Sequence, residues 1–178
     1  KNATAHYYRA LSLLARERFG EAWPEYVWRF QRPESAARHG AFALPYWEGE
    51  PLTGARILVW TEQGPGDEIL IASLLPELAA RGGAVTLLCS PRMLPLLRRS
   101  LPAIAVTATP ESVETRDFAF QASLSELGKI LRPDAASFGP AKAYLCADAA
   151  RRDALRAQYR GGDARPLIGI SWHSKAAG

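Results

Sequence analysis

The stretch "TEQGPGDEILIASLLPEL" places two glycines and two carboxylates between an apolar strand end and an apolar helix. A glycine loop in that position suggests a phosphate cradle, because glycine lets the backbone approach a ligand closely. Asp67 and Glu68 argue against it, since both acids stand in the helix's first turn, where they would repel a pyrophosphate. Gly64 and Gly66 match the first two glycines of a dinucleotide fingerprint. The third position is Ile69, too bulky for close helix–strand packing, and no acid ends the second strand, where Leu88, Cys89 and Ser90 stand. No Gly-Lys-Ser/Thr follows, which excludes a P-loop. An uncharged or hydroxyl-bearing ligand fits the loop better, with Asp67 as a base aimed at a hydroxyl. A carboxylate at a helix N-terminus is stabilised in its charged form by about 0.3–1 kcal/mol. The residues alone allow a second reading, in which Asp67 only caps the helix and Glu68 only offsets its dipole.

The elements around the loop read as alternating strands and helices. "RILVWTE" is a continuous apolar strand of the kind a parallel sheet buries on both faces. A helix follows, with Pro76 expected to kink or divide it and Gly82-Gly83 to end it. "AVTLLCS", "AIAVTAT" and "DFAFQA" are the next strands, separated by a helix over "PRMLPLLRRS" and followed by a short one from about Ser123 to Leu131. "KAYLCAD" is extended, "AARRDALRAQYR" is a helix, and "RPLIGISWHS" is a last strand. The alternation implies βαβ units in a doubly wound, mainly parallel sheet. Ligands of such sheets lie beyond the carboxyl ends of the strands, where Gln63, Gly64, Gly66, Asp67 and Glu68 fall.

An α-helical hairpin precedes the sheet. Residues 3–31 carry apolar side chains at helical spacing in two runs, broken at Phe19-Gly20, with Pro24 in the second helix's first turn. The domain plan is therefore a hairpin over 1–31, an irregular connector over 32–55, an α/β domain over 56–165, and over 166–178 a last strand that opens a second half. Phe42, Leu44, Tyr46 and Trp47 are expected to fasten the connector to the domain surface.

Composition narrows the classes. Apolar residues make up 48% of the 178 residues, which supports a buried core, and the formal charge is +4. The basic residues are scattered without a dense patch, which disfavours nucleic-acid binding. No run of about 20 apolar residues offers a membrane span. Cys89 and Cys146 lie in apolar runs away from any Cys/His cluster and read as buried, reduced thiols of a cytoplasmic protein. His6, His39 and His173 have no metal-ligand spacing, and no D-x-D motif occurs, so no metal is expected. The chain begins at Lys1 and stops shortly after its last strand, and reads as an excised piece.

Two resemblances extend this reading. "RFGEAWPEYVWRF" resembles the second helix of a tetratricopeptide repeat, with Ala10, Phe19, Ala22 and Tyr26 at the repeat's small and aromatic positions. Arg9 departs from the usual leucine, and Pro33 stands one place early. A single repeat cannot bury its own face, so it must pack on further repeats or on the following domain. "RILVWTEQGPGDEILIASLLPEL" with "PLIGISWHS" resembles the N-terminal, Rossmann-like half of a GT-B glycosyltransferase, nearest the heptosyltransferase group. Bacterial proteins pairing such repeats with such a domain resemble the "WPEYVWRF" and "PYWEGEPLTG" stretches.

The resemblance implies an inverting hexosyl or heptosyl transfer from a nucleotide-sugar co-substrate to a hydroxyl acceptor. It implies no cofactor beyond that donor. Asp67 would be the catalytic base, and Gln63, Gly64, Gly66 and Glu68 would contact substrate. Ser171, His173, Ser174 and Lys175 would lie on the donor-phosphate side. This chain alone is expected to be inactive. A different expectation is a non-catalytic scaffold that binds protein partners through the repeat. A nucleotide-binding Rossmann enzyme is disfavoured by Ile69 and the missing acid.

Overall fold

The computed structural model describes residues 2–33, 42–140, 142–160 and 166–170. The chain divides into two compact units, Lys1–Leu145 and Cys146–Gly178.

The first unit is α/β and Rossmann-like. Four strands, β1 (Arg56–Trp60), β2 (Ala84–Leu88), β3 (Ala105–Thr107) and β4 (Phe120–Ser123), form one sheet in the order β3-β2-β1-β4, every pair parallel. The chain winds outward from β1 in one direction through β2 to β3, then places β4 on the other side, which makes the sheet doubly wound. β1 is buried on both faces, as its unbroken apolar run predicts. Ile57 and Val59 enter the main core with Leu75, Leu78, Leu97 and Leu127. Leu58 and Trp60 point to the opposite face and pack with Phe30 and Phe118. That division is the two-residue period of a strand.

The helices follow the expected order with local differences. Pro76 divides the first helix after the loop into α3 (Pro65–Ala72) and α4 (Leu75–Ala80), since its ring fits only a helix's first turn. Gly82, at φ +90°, then turns the chain toward β2. The next helix starts later than expected: α5 is Leu94–Ser100, with Pro95 rather than Pro91 in its first turn. A 3₁₀ turn at Leu124–Glu126 leads into α6 (Leu127–Leu131).

The hairpin comprises α1 (Ala3–Leu14), α2 (Phe19–Tyr26) and a 3₁₀ turn at Val27–Gln31. The break lies earlier than Phe19-Gly20. Glu17 adopts a left-handed φ of 58° and Arg18 N–H bonds back to Leu13 O, which closes α1 so that Phe19 opens α2. Ala10 and Ala22 are fully buried. Glu25 of α2 joins the helices, accepting from Arg9 at 2.8 Å and bonding His6 at 2.5 Å, so the unusual Arg9 has a partner.

The hairpin docks on the α/β domain. Trp23 Nε1 donates to Arg132 O at 2.7 Å, and its indole covers Gly128 so closely that a Cβ there would stand 2.5 Å from the ring. Gly128→Ala is expected to cost about 1–3 kcal/mol by overpacking. A thermal melt checks this, and an unchanged midpoint would show that the indole can withdraw.

The connector is fastened more firmly than aromatic contacts alone would achieve. Trp47 N–H donates to Gln121 O, Gln121 N–H to Pro45 O, and Tyr46 bridges Gln121 in parallel. Gln121 Nε2 also donates to Phe42 O and Leu44 O, while its Oε1 accepts from Trp60 Nε1. These bonds pair the outer edge of β4.

"KAYLCAD" forms no strand in its described residues, which leaves Cys146 exposed rather than buried; Cys89 is buried as expected. In the second unit α7 (Ala149–Arg160) forms as predicted, with Asp148 capping Arg151 N–H at 2.9 Å. Over the described residues 166–170 the predicted last strand is not formed, and Ile168 and Ile170 are exposed. Its remaining residues lie outside those described. No helix among the described residues is long and apolar enough to cross a membrane.

Candidate functional site

The order β3-β2-β1-β4 makes the gap between β1 and β4 the topological switch point, where open α/β sheets bind ligands. A shallow crevice of about 140 Å³ opens there. Thr61, Glu62 and Gln63 after β1, Asp67 and Glu68 of α3, and Ser125 after β4 contribute its polar lining.

Of the five predicted loop residues, Gln63, Asp67 and Glu68 line this crevice, while Gly64 and Gly66 lie in the loop without lining it. Gly64 is the N-cap of α3 in extended conformation, and no side chain caps the helix. Asp67 is therefore not the cap. Its carboxylate is exposed and makes no hydrogen bond or ion pair among the described residues. Glu68 is not a solvated charge offsetting the dipole. It is 2% exposed and accepts a hydrogen bond from Ser90 N–H at 3.3 Å, which ties α3 to the end of β2. Gln63 Nε2 donates to the Tyr26 hydroxyl at 2.9 Å. Neither loop glycine has a positive φ. A Cβ at Gly66 would meet nothing within 4 Å, and one at Gly64 only the Asp67 carboxylate at 3.9 Å. The fold itself thus does not require glycine at either place, and the space before the loop is open. Ser171, His173, Ser174 and Lys175 lie outside the described residues.

Glu62, on the crevice floor, is held from behind by a residue that spacing did not reveal. Arg29, in the 3₁₀ turn after α2, is 1% exposed. Its Nη2 lies 3.0 Å from Glu62 Oε1 and 2.9 Å from Ser123 Oγ, its Nε 3.3 Å from the same Glu62 oxygen, and its Nη1 donates to Tyr26 O at 3.1 Å. The guanidinium stacks over the Phe30 ring at 3.9 Å and the Tyr26 ring at 4.4 Å. Burial pushes the Tyr26 phenol up to about 12, so it stays protonated at neutral pH. Burial also raises the Glu126 carboxyl above the ordinary range, partly offset by Arg29. An arginine inside the aromatic run "VWRF" and an acid two residues after the apolar strand β1 were the available signals for this pair.

An exposed, unengaged carboxylate on the rim can take a proton from a bound hydroxyl. The floor, already neutralised by its own ion pair, can orient polar groups through Gln63, Ser125 and Thr61.

No family model matches the chain, and no solved structure matches it. The sequence is similar to Protein FlbA of Caulobacter vibrioides, 33% identical over an alignment 188 positions long, gaps included, that covers 97% of this chain and 32% of that protein. The chain thus spans about a third of the length of the curated relative it matches.

Proposed function

We propose that this chain is the acceptor-side half of an inverting, nucleotide-sugar-dependent glycosyltransferase of GT-B type, preceded by a tetratricopeptide-like hairpin. The observation that carries the reading is the Asp67 carboxylate, exposed and unengaged on the rim of the switch-point crevice. Asp67 takes the proton of an acceptor hydroxyl as its oxygen attacks the sugar's anomeric carbon, and the nucleotide leaves with the bonding electrons. The dispensable glycines support this reading, because they leave open space in front of that carboxylate. Gln63 borders the acceptor, while the buried Glu68, expected to contact substrate, instead holds α3 to the end of β2. Donor phosphates are assigned to Ser171, His173, Ser174 and Lys175 together with a second Rossmann-like half. The reading assigns the protein to the cytoplasm, where thiols such as Cys89 stay reduced.

Nucleotide release from a panel of nucleotide-sugars tests the proposal. The complete protein is expected to release nucleotide in the presence of a hydroxyl acceptor, and residues 1–178 alone are expected to release none. Turnover by residues 1–178 would contradict the division into halves.

A scaffold reading has its own support. The crevice is a shallow surface depression with no enclosed space, unlike the roughly 300–1,000 Å³ of ordinary ligand pockets, and its Glu62 is already paired with Arg29. The hairpin also exposes Tyr8 and Leu11. On that reading the hairpin binds a protein partner and the α/β domain carries it. Absence of nucleotide release by the complete protein across the panel favours this alternative.

A further inference from the structure

We infer that Arg29 is the positioning residue of the switch-point crevice: the hairpin, rather than the glycine loop itself, fixes where residues 61–66 stand. The loop has few bonds of its own. No side chain caps α3, Asp67 makes no hydrogen bond among the described residues, and backbone ties flank the loop, from Thr61 N–H to Leu88 O before it and from Glu68 N–H to Gly64 O after it. Between these two ties, the hairpin supplies side-chain anchors to the loop. Arg29 reaches Glu62 through two nitrogens, and the Tyr26 hydroxyl accepts from Gln63.

Arg29 also spans the switch point itself. Glu62 follows β1 and Ser123 ends β4, so one guanidinium nitrogen touches both strands that border the crevice. Its planar fork and its stacking on Phe30 and Tyr26 fix its orientation, which a lysine could not reproduce. A displacement of α2 is thereby transmitted to Glu62 and Gln63, and through them to the rim that carries Asp67. The inference concerns the loop's geometry and stands whether or not the crevice performs transfer.

Amide hydrogen exchange on the full chain tests it, with three variants. Arg29→Met removes the fork but leaves a buried carboxylate. Arg29→Met/Glu62→Gln removes both charges and so keeps the fold while the tie is lost. Tyr26→Phe removes only the bond to Gln63. In the double variant the Thr61 and Glu68 amides, whose bonds bracket the loop, are expected to exchange about tenfold to a hundredfold faster, as loss of the charge-assisted bonds that hold the loop predicts. The β1 and β2 amides should keep their rates. In Tyr26→Phe the acceleration should be smaller and confined to the Glu68 amide, which donates to Gly64 O beside Gln63. Wild-type exchange at these amides in a folded double variant would overturn the inference, since the loop would then hold itself. This readout needs no substrate, so its failure is distinct from failure of the nucleotide-release assay.

Discussion

Arg29→Met is expected to lower the unfolding free energy by about 3–5 kcal/mol, the usual cost of breaking a buried pair from one side. Both members of the pair are 2% exposed at the side chain. Methionine fills much of the arginine stem's volume, so a cavity contributes little. The cost comes from Glu62, whose carboxylate stays buried without the guanidinium, and from the lost bonds to Ser123 and Tyr26 O. In a unit of this size the melting temperature should fall by on the order of 10 °C. Arg29→Met/Glu62→Gln should recover most of the loss, because neither buried charge remains. Urea or thermal unfolding of the two variants checks this. Equal destabilisation by the single and double variants would mean that packing of Arg29 on Phe30 and Tyr26, rather than charge, holds the turn.

The parts of the fold that depend on local pattern were legible in the sequence. β1 announces itself through an unbroken apolar run, Pro76 marks where the following helix divides, and Gly82 marks its end. The loop's position beyond a strand's carboxyl end placed Gln63, Asp67 and Glu68 at the crevice. What local pattern could not show depends on distant partners. Arg29 meets Glu62 across 33 residues and Ser123 across 94, so no spacing rule connects them. The same holds for Glu68, whose charge suggests solvent but whose partner, Ser90, lies 22 residues away after the next strand. Apolar content misled at the other end. "KAYLCAD" reads as an extended segment with a strand-like apolar run, yet a strand needs a hydrogen-bonded neighbour, which an apolar run alone does not supply.

Asp67→Asn should act on rate and not on fold. Its carboxylate makes no bond among the described residues, so the amide should change stability by no more than about 0.5 kcal/mol. Loss of a general base typically costs about 10²–10⁴-fold in rate, and asparagine cannot accept the hydroxyl proton. Glu68→Gln should show the opposite profile. That buried side chain accepts from Ser90 N–H, so its replacement should cost about 1–3 kcal/mol of stability. The direct measurement is the turnover number of the complete protein for sugar transfer, compared between wild type, Asp67→Asn and Glu68→Gln with melting temperatures taken alongside. The expected result is at least about a hundredfold loss for Asp67→Asn at an unchanged melting temperature. Wild-type turnover by folded Asp67→Asn would contradict the assignment of the crevice as the acceptor side of a transferase.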